Sequence, residues 1–186
     1  DPLSDADVAR LRRFGDEHGF IIYLQPKGPE TVAPLPGVEV GGLHYHLPAY
    51  DVTLRFRPTD FTQVNAAINQ AMVERALGLL DLQPGERLLE LFCGLGNFSL
   101  PAARGGARVT GVEGEQGLVE RARENAERNG LDNADFHVAD LAEPDPAAAW
   151  LRGGCDKVLL DPPRSGAREA LPVIAAAGPR RVVYVS

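Results

Sequence analysis

The segment Leu88–Leu100, LLELFCGLGNFSL, constrains the fold more than any other part of the chain. Leu88, Leu89, Leu91 and Phe92 form a short apolar run, as expected of a parallel strand covered on both faces. Gly94 and Gly96 follow at once. They let the backbone turn tightly and come close to a ligand. A helix then begins. A strand–glycine loop–helix unit of this kind points to an α/β protein with a parallel sheet. The next strand, RVTGVE, ends in Glu113, about 20 residues beyond the loop, the spacing at which a carboxylate reaches the ribose hydroxyls of a nucleoside.

That nucleoside need not be a dinucleotide. The dinucleotide fingerprint closes on Gly or Ala, whereas Ser99 holds that position here. A lone G-x-G also occurs in turns that bind nothing, but strand, loop and distal acid together favour a bound nucleoside. S-adenosylmethionine (SAM) fits, because its sulfonium end carries no pyrophosphate needing a helix N-terminus. A nicotinamide-dependent oxidoreductase is the alternative that Ser99 disfavours.

The rest of the chain agrees with one α/β unit plus a small appendage. With 186 residues it can bury a sizeable core. No apolar run approaches the ~20 residues that span a bilayer, and the opening residues do not read as a signal peptide. The two cysteines, Cys93 and Cys155, give no disulfide framework and suit a reducing cytoplasm. They are too few for a four-cysteine iron–sulfur site. His18, His44, His46 and His137 lack metal-ligand spacing, so no metal is expected. A formal net charge of −7 argues against a dedicated nucleic-acid-binding module, though not against an enzyme acting on RNA.

Residues 1–60 differ in pattern from the remainder of the chain and read as part of a larger α+β region. Ser4 and Asp7 make an S-x-x-D cap for a helix running to about His18. Phe20–Leu24 reads as a strand, and Leu43–Leu47 with Val52–Phe56 as a hairpin. Arg55 and Arg57 flank Phe56 and point the same way, which suits a solvated sheet face or a phosphate contact. Residues 61–186 read as a nucleoside-binding domain. A helix is predicted from about Val64 to Leu80, then the glycine-loop unit, strand Arg108–Glu113 and a charged helix from Glu115 to Asn129 capped by Gly130. Strand Ala134–Ala139, a short helix near Ala147–Leu151 and strand Lys157–Leu160 come next. A helix near Ala170–Ala177 and a last strand, Arg181–Ser186, complete a parallel, doubly wound sheet. Asp161, in LLDPPRSG, falls at the carboxyl end of the fourth strand, where open α/β sheets bind ligands. An amino-group methyltransferase would carry an aromatic after its D/N-P-P motif to stack on a flipped base, but Arg164 stands there.

FTQVN (Phe61–Asn65), LELFCGLGNFSLPAA, GVEG (Gly111–Gly114), ENAERNGL and DKVLLDPPRSGA together resemble the uracil-C5 RNA methyltransferases, and most closely the branch acting on 23S ribosomal RNA. The resemblance covers essentially the whole chain. It implies a Rossmann-like, SAM-dependent methyltransferase fold and SAM contacts at matching positions. Gln63 would reach the methionine end, Phe92, Gly94, Gly96 and Asn97 form the glycine loop, Glu113 holds the ribose, Asp140 serves the adenine, and Asp161 lies at the active-site edge.

In such enzymes a cysteine thiolate adds to uracil C6, the resulting enolate takes the methyl, and a general base removes the C5 proton. The resemblance places that cysteine directly after the tyrosine–valine–serine that here is Tyr184-Val185-Ser186, and the base further on. No catalytic residue is therefore expected within this chain, nor the iron–sulfur cluster of the longer protein. Cys93 matches a motif cysteine that is not the nucleophile, its sulfur expected beside the cofactor. A piece of the enzyme that binds SAM without transferring methyl is the resulting expectation. Arg181–Val185 would then be an edge strand that pairs with a second copy or is covered by the N-terminal residues. A non-catalytic RNA-binding module remains the other reading.

Overall fold

The computed structural model describes residues 3–186. They divide into two compact units, residues 3–43 with Phe56–Asp60, and His44–Arg55 with Phe61–Ser186.

In the smaller unit, helix α1 (Asp5–His18) starts on a capping box: Ser4 Oγ accepts from the Asp7 amide, and the Asp7 carboxylate accepts from the Ser4 amide. Gly19 ends the helix in the left-handed conformation. Phe14, His18 and Phe20 pack ring to ring at its end. Strands β1 (Tyr23–Leu24) and β2 (Ala33–Pro34) pair antiparallel. Leu35 is buried behind them. The strand expected over Phe20–Leu24 is thus two residues long, and β2 was not foreseen, since Ala-Pro carries no strand signal.

The larger unit opens with strands β3 (Leu43–Leu47) and β4 (Val52–Phe56), a two-stranded sheet of which all but the end residues Leu43 and Phe56 belong to it. Helix α2 (Ala66–Leu80) follows, started by Asn65, whose Oδ1 accepts from the Ile68 amide. Then come β5 (Arg87–Leu91), α3 (Ser99–Arg104), β6 (Arg108–Glu113), α4 (Gln116–Arg128), β7 (Ala134–Val138), β8 (Lys157–Leu160), α5 (Leu171–Ala177) and β9 (Arg181–Tyr184). The five strands from β5 onward form one parallel sheet in the order β7-β6-β5-β8-β9. The order reverses between β5 and β8, the topological switch point of a doubly wound Rossmann-like sheet.

Register decides which side chains share a face. Leu89, Leu91, Val112, Val158 and Leu160 form a core cluster with Ala167, Ala170 and Ile174. The intervening positions Leu88, Glu90, Gly111 and Leu159 point the other way. Gly111 is obligatory for packing: a Cβ there would lie 2.6 Å from the Phe136 ring and 3.0 Å from Cys93 Sγ.

The division differs from a boundary between residues 60 and 61. His44–Arg55 belong with the larger unit because α4 supplies an edge to β4. Asn125 Oδ1 accepts from the Arg55 amide at 2.8 Å and its Nδ2 donates to the Arg55 carbonyl at 3.1 Å. Asn129, one turn on, does the same for Thr53, at 2.9 and 2.8 Å. Four helical residues advance ~6 Å and two strand residues ~6.6 Å, so i,i+4 asparagines match alternate strand residues. The Arg104 guanidinium donates to the carbonyls of Asp51 and Asn129, fixing the turn between β3 and β4.

The helix expected near Ala147–Leu151 is a single 3-10 turn, Ala149–Leu151. The last strand ends at Tyr184, short of the expected Ser186. It lies at the sheet edge with Val182 and Tyr184 about half exposed (47% and 49%). Among the described residues no helix is long and apolar enough to cross a membrane.

Candidate functional site

The loop after β5 begins on a backbone outlier. Phe92 adopts φ 62° although it is not glycine, a conformation that costs energy and clusters at functional sites. Its ring packs against the Leu89–Leu160 cluster, which over-determines the turn. Gly94 (φ 53°) and Gly96 (φ 99°) continue it. At Gly96 a Cβ would press to 3.0 Å on the Leu100 side chain. At Gly94 a Cβ would meet nothing within 4 Å, so the space beside the loop there is open.

Glu113, at the end of β6, is fastened to this loop. Its Oε2 accepts from the Gly94 amide at 3.1 Å, and its Oε1 from the amides of Gly114 and Glu115 at 2.7 and 3.2 Å. Three N–H donors fix the carboxylate in a partly exposed position, with acceptor capacity left for further donors. Asp161 sits at the end of β8, partly buried, its amide bonded to the Leu91 carbonyl at 3.4 Å. Burial pushes its carboxyl pKa up.

Sequence reasoning passed over Glu90. It lies in β5, fully buried (0% exposed), with Ser99 Oγ donating to its Oε2. Oε1 has no hydrogen-bond partner among the described residues. Burial is the main reason its pKa is pushed up to about 8; the negative charges of Asp161 and Glu113 add to it, and the Ser99 hydrogen bond opposes it. The one signal available was an acid inside the apolar run LLEL, which is also how a solvated strand position reads.

Asn97 is placed differently from a free cofactor ligand. Its Oδ1 accepts from Tyr45 Oη at 2.8 Å and from Asn69 Nδ2 at 3.0 Å, and its Nδ2 donates to Asn69 Oδ1 at 2.8 Å. One Nδ2 hydrogen remains of its capacity. The Asn69–Asn97 pair also ties the start of α2, a few residues beyond Gln63, to the glycine loop. Gln63 itself is exposed in the segment before α2. Asp140 is exposed two residues beyond β7, its Oδ1 accepting from the Ala142 amide at 2.8 Å. Arg55, Arg57 and Arg164 are exposed.

The Cys93 sulfur is buried beside Gly111, the position facing Phe136. Burial, with the charges of Glu90 and Glu113, raises its pKa well above the ordinary thiol value. Burial likewise raises Cys155, which precedes β8.

Glu90, Glu113 and Asp161 thus converge at the carboxyl ends of β5, β6 and β8, at the switch point. Negative charge there, open space beside Gly94 and a fixed carboxylate fit a nucleoside that carries a positive charge, as SAM does. A separate cleft of about 420 Å³, lined by Arg87, Arg108, Trp150 and Arg152, opens at the amino ends of β5 and β6. Asp132 and Asp135 line it as well, and open α/β sheets bind their ligands at the opposite, carboxyl ends of the strands.

The sequence profile of the tRNA (uracil-5-)-methyltransferase family matches residues 44–146. The 23S rRNA (uracil(1939)-C(5))-methyltransferase RlmD of Stenotrophomonas maltophilia is 57% identical over 185 residues, and that of Alkalilimnicola ehrlichii 55%. The chain spans about two-fifths of the length of these relatives (41% and 42%). Among solved structures, the Pyrococcus abyssi tRNA (uracil-54, C5)-methyltransferase in complex with S-adenosyl-L-homocysteine superposes with a TM-score of 0.70 at 27% identity, covering 88% of this chain and 40% of that one. An RNA methyltransferase from Salinibacter ruber, also in complex with S-adenosyl-L-homocysteine, gives 0.51 at 30% identity, over 62% of this chain and 74% of that one.

Proposed function

The chain belongs to the tRNA (uracil-5-)-methyltransferase family, and on that ground we propose that it is the cofactor-binding part of an enzyme that methylates uracil C5 in 23S ribosomal RNA. The observation that carries the cofactor reading is Glu113, held against the glycine loop by the Gly94 amide with acceptor capacity to spare. In this reading its carboxylate takes the ribose hydroxyls. Phe92, Gly94 and Gly96 shape the wall beside it, and Asn97 offers its remaining N–H. Gln63 serves the methionine end, Asp140 the adenine, and Asp161 the edge nearest the reacting carbon. When bound, SAM supplies an electrophilic methyl group. The 23S branch, rather than transfer RNA, is supported by the identity to the RlmD proteins over the full chain.

Neither thiol of this chain is suited to attack uracil C6. The thiolate is the nucleophile, and both Cys93 and Cys155 are held toward the thiol by burial. The nucleophile, the base and any iron–sulfur cluster belong, in this reading, to residues of the enzyme outside this sequence. The chain therefore binds SAM and transfers no methyl by itself.

Calorimetric titration with SAM and with NAD, beside incorporation of labelled methyl from SAM into 23S RNA, tests this. Binding of SAM alone, without incorporation, is the expected result. Absence of SAM binding, or turnover that is abolished by Cys93→Ala, overturns it.

A further inference from the structure

We propose that Glu90 is the charge-matching residue of the cofactor site: its buried carboxyl holds a proton in the free chain and releases it when a cationic nucleoside binds. The inference rests on the SAM reading above and goes beyond it by assigning the binding step a proton.

Three acids share one edge of the sheet, and their surroundings differ. Glu113 has three backbone N–H donors to support its charge. Asp161 retains partial exposure. Glu90 has neither: it is fully buried, with one hydroxyl donor, Ser99, at the start of α3, and an oxygen without a partner among the described residues. An ionised carboxylate so placed carries the cost of an unpaired buried charge. The titratable groups acting with it are Glu113 from β6, Asp161 from the end of β8, Tyr45 from β3 and Cys93 from the loop. Each of these is an acid, and none supplies positive charge. With like charges nearby and desolvation in the same direction, the proton resides on Glu90.

A ligand that brings positive charge reverses the balance. The sulfonium of SAM supplies the charge that these groups omit, so the Glu90 carboxyl loses its proton to solvent and the site gains a negative charge to match. No covalent bond changes: one proton leaves and one positive charge arrives. The demethylated product, S-adenosylhomocysteine, has lost the sulfonium charge and draws the proton off less. Glu90 thereby favours the methyl-bearing form over the spent one, and increasingly so as pH rises and the proton is easier to remove.

Titration calorimetry of SAM and S-adenosylhomocysteine, across pH and in buffers of different ionisation heat, tests this with the chain as it stands. SAM affinity is expected to rise on the order of tenfold between about pH 6 and about pH 8, with proton release on binding. The slope and the release should be smaller for S-adenosylhomocysteine. Glu90→Gln keeps an acceptor for Ser99 and removes the titration, so its pH profile should flatten to that of the ligand alone. A second readout needs no variant: isotope-edited infrared spectroscopy should show a protonated glutamate carboxyl in the free chain that is lost on adding SAM. SAM binding with the same profile and proton release in Glu90→Gln, or a glutamate proton retained in the SAM complex, overturns the inference. Failure of SAM to bind at any pH overturns the cofactor reading and the inference with it.

Discussion

Glu113 fastens the end of β6 to the glycine loop and, in the proposed function, also takes the ribose hydroxyls, so its substitution tests that role. A carboxylate accepting two ribose hydroxyls makes charge-assisted hydrogen bonds worth about 1.5–3 kcal/mol each. Glu113→Ala is therefore expected to weaken SAM at least tenfold, by calorimetry, with the circular dichroism spectrum of the chain retained. Unchanged affinity in a folded variant removes Glu113 from the site. The spacing from Gly94 marked this residue in the sequence as an acid at a strand end close to the loop, because the reach between strand ends is fixed by the fold. Asn97 was legible only by resemblance. That its amide is largely committed to Tyr45 and Asn69 depends on two residues far away in the chain, which no local pattern announces.

At the scale of elements, α4 acts as a strand partner. Asn125 and Asn129 present side-chain amides to alternate residues of β4, satisfying an edge that would otherwise lie unpaired. Asn125 is fully buried and also donates to the Leu95 carbonyl at 3.3 Å, so it couples β4 to the glycine loop. Asn125→Ala strands the Arg55 amide and carbonyl without partners, and a loss of about 2–4 kcal/mol is expected by urea unfolding. A loss below about 0.5 kcal/mol would mean that β4 finds other partners. The sequence showed ENAERNG only as a charged helix. The asparagines gain their meaning from the strand brought beside them.

At the scale of the chain, β9 is an edge strand of the five-stranded sheet, with Val182 and Tyr184 half exposed. An open edge offers unpaired N–H and C=O groups to another chain. Concentration-dependent self-association by light scattering is expected, and Val182→Lys should reduce it. A monomer at high concentration with slow hydrogen exchange along Arg181–Tyr184 would contradict this.

The parallel doubly wound sheet, and the meeting of its glycine loop with the acid that ends β6, were already written in the order of residues. Strand runs, the paired glycines and the terminal acid of β6 are local signals, imposed by the fixed period of strands and the steric needs of a tight turn. Three features emerged only from the packed chain: which hairpin residues join the larger unit, where the Cys93 sulfur lies, and that Glu90 is a buried acid among acids. These are outcomes of long-range packing: the burial and the neighbouring charges that set each group's chemistry come from segments tens of residues away.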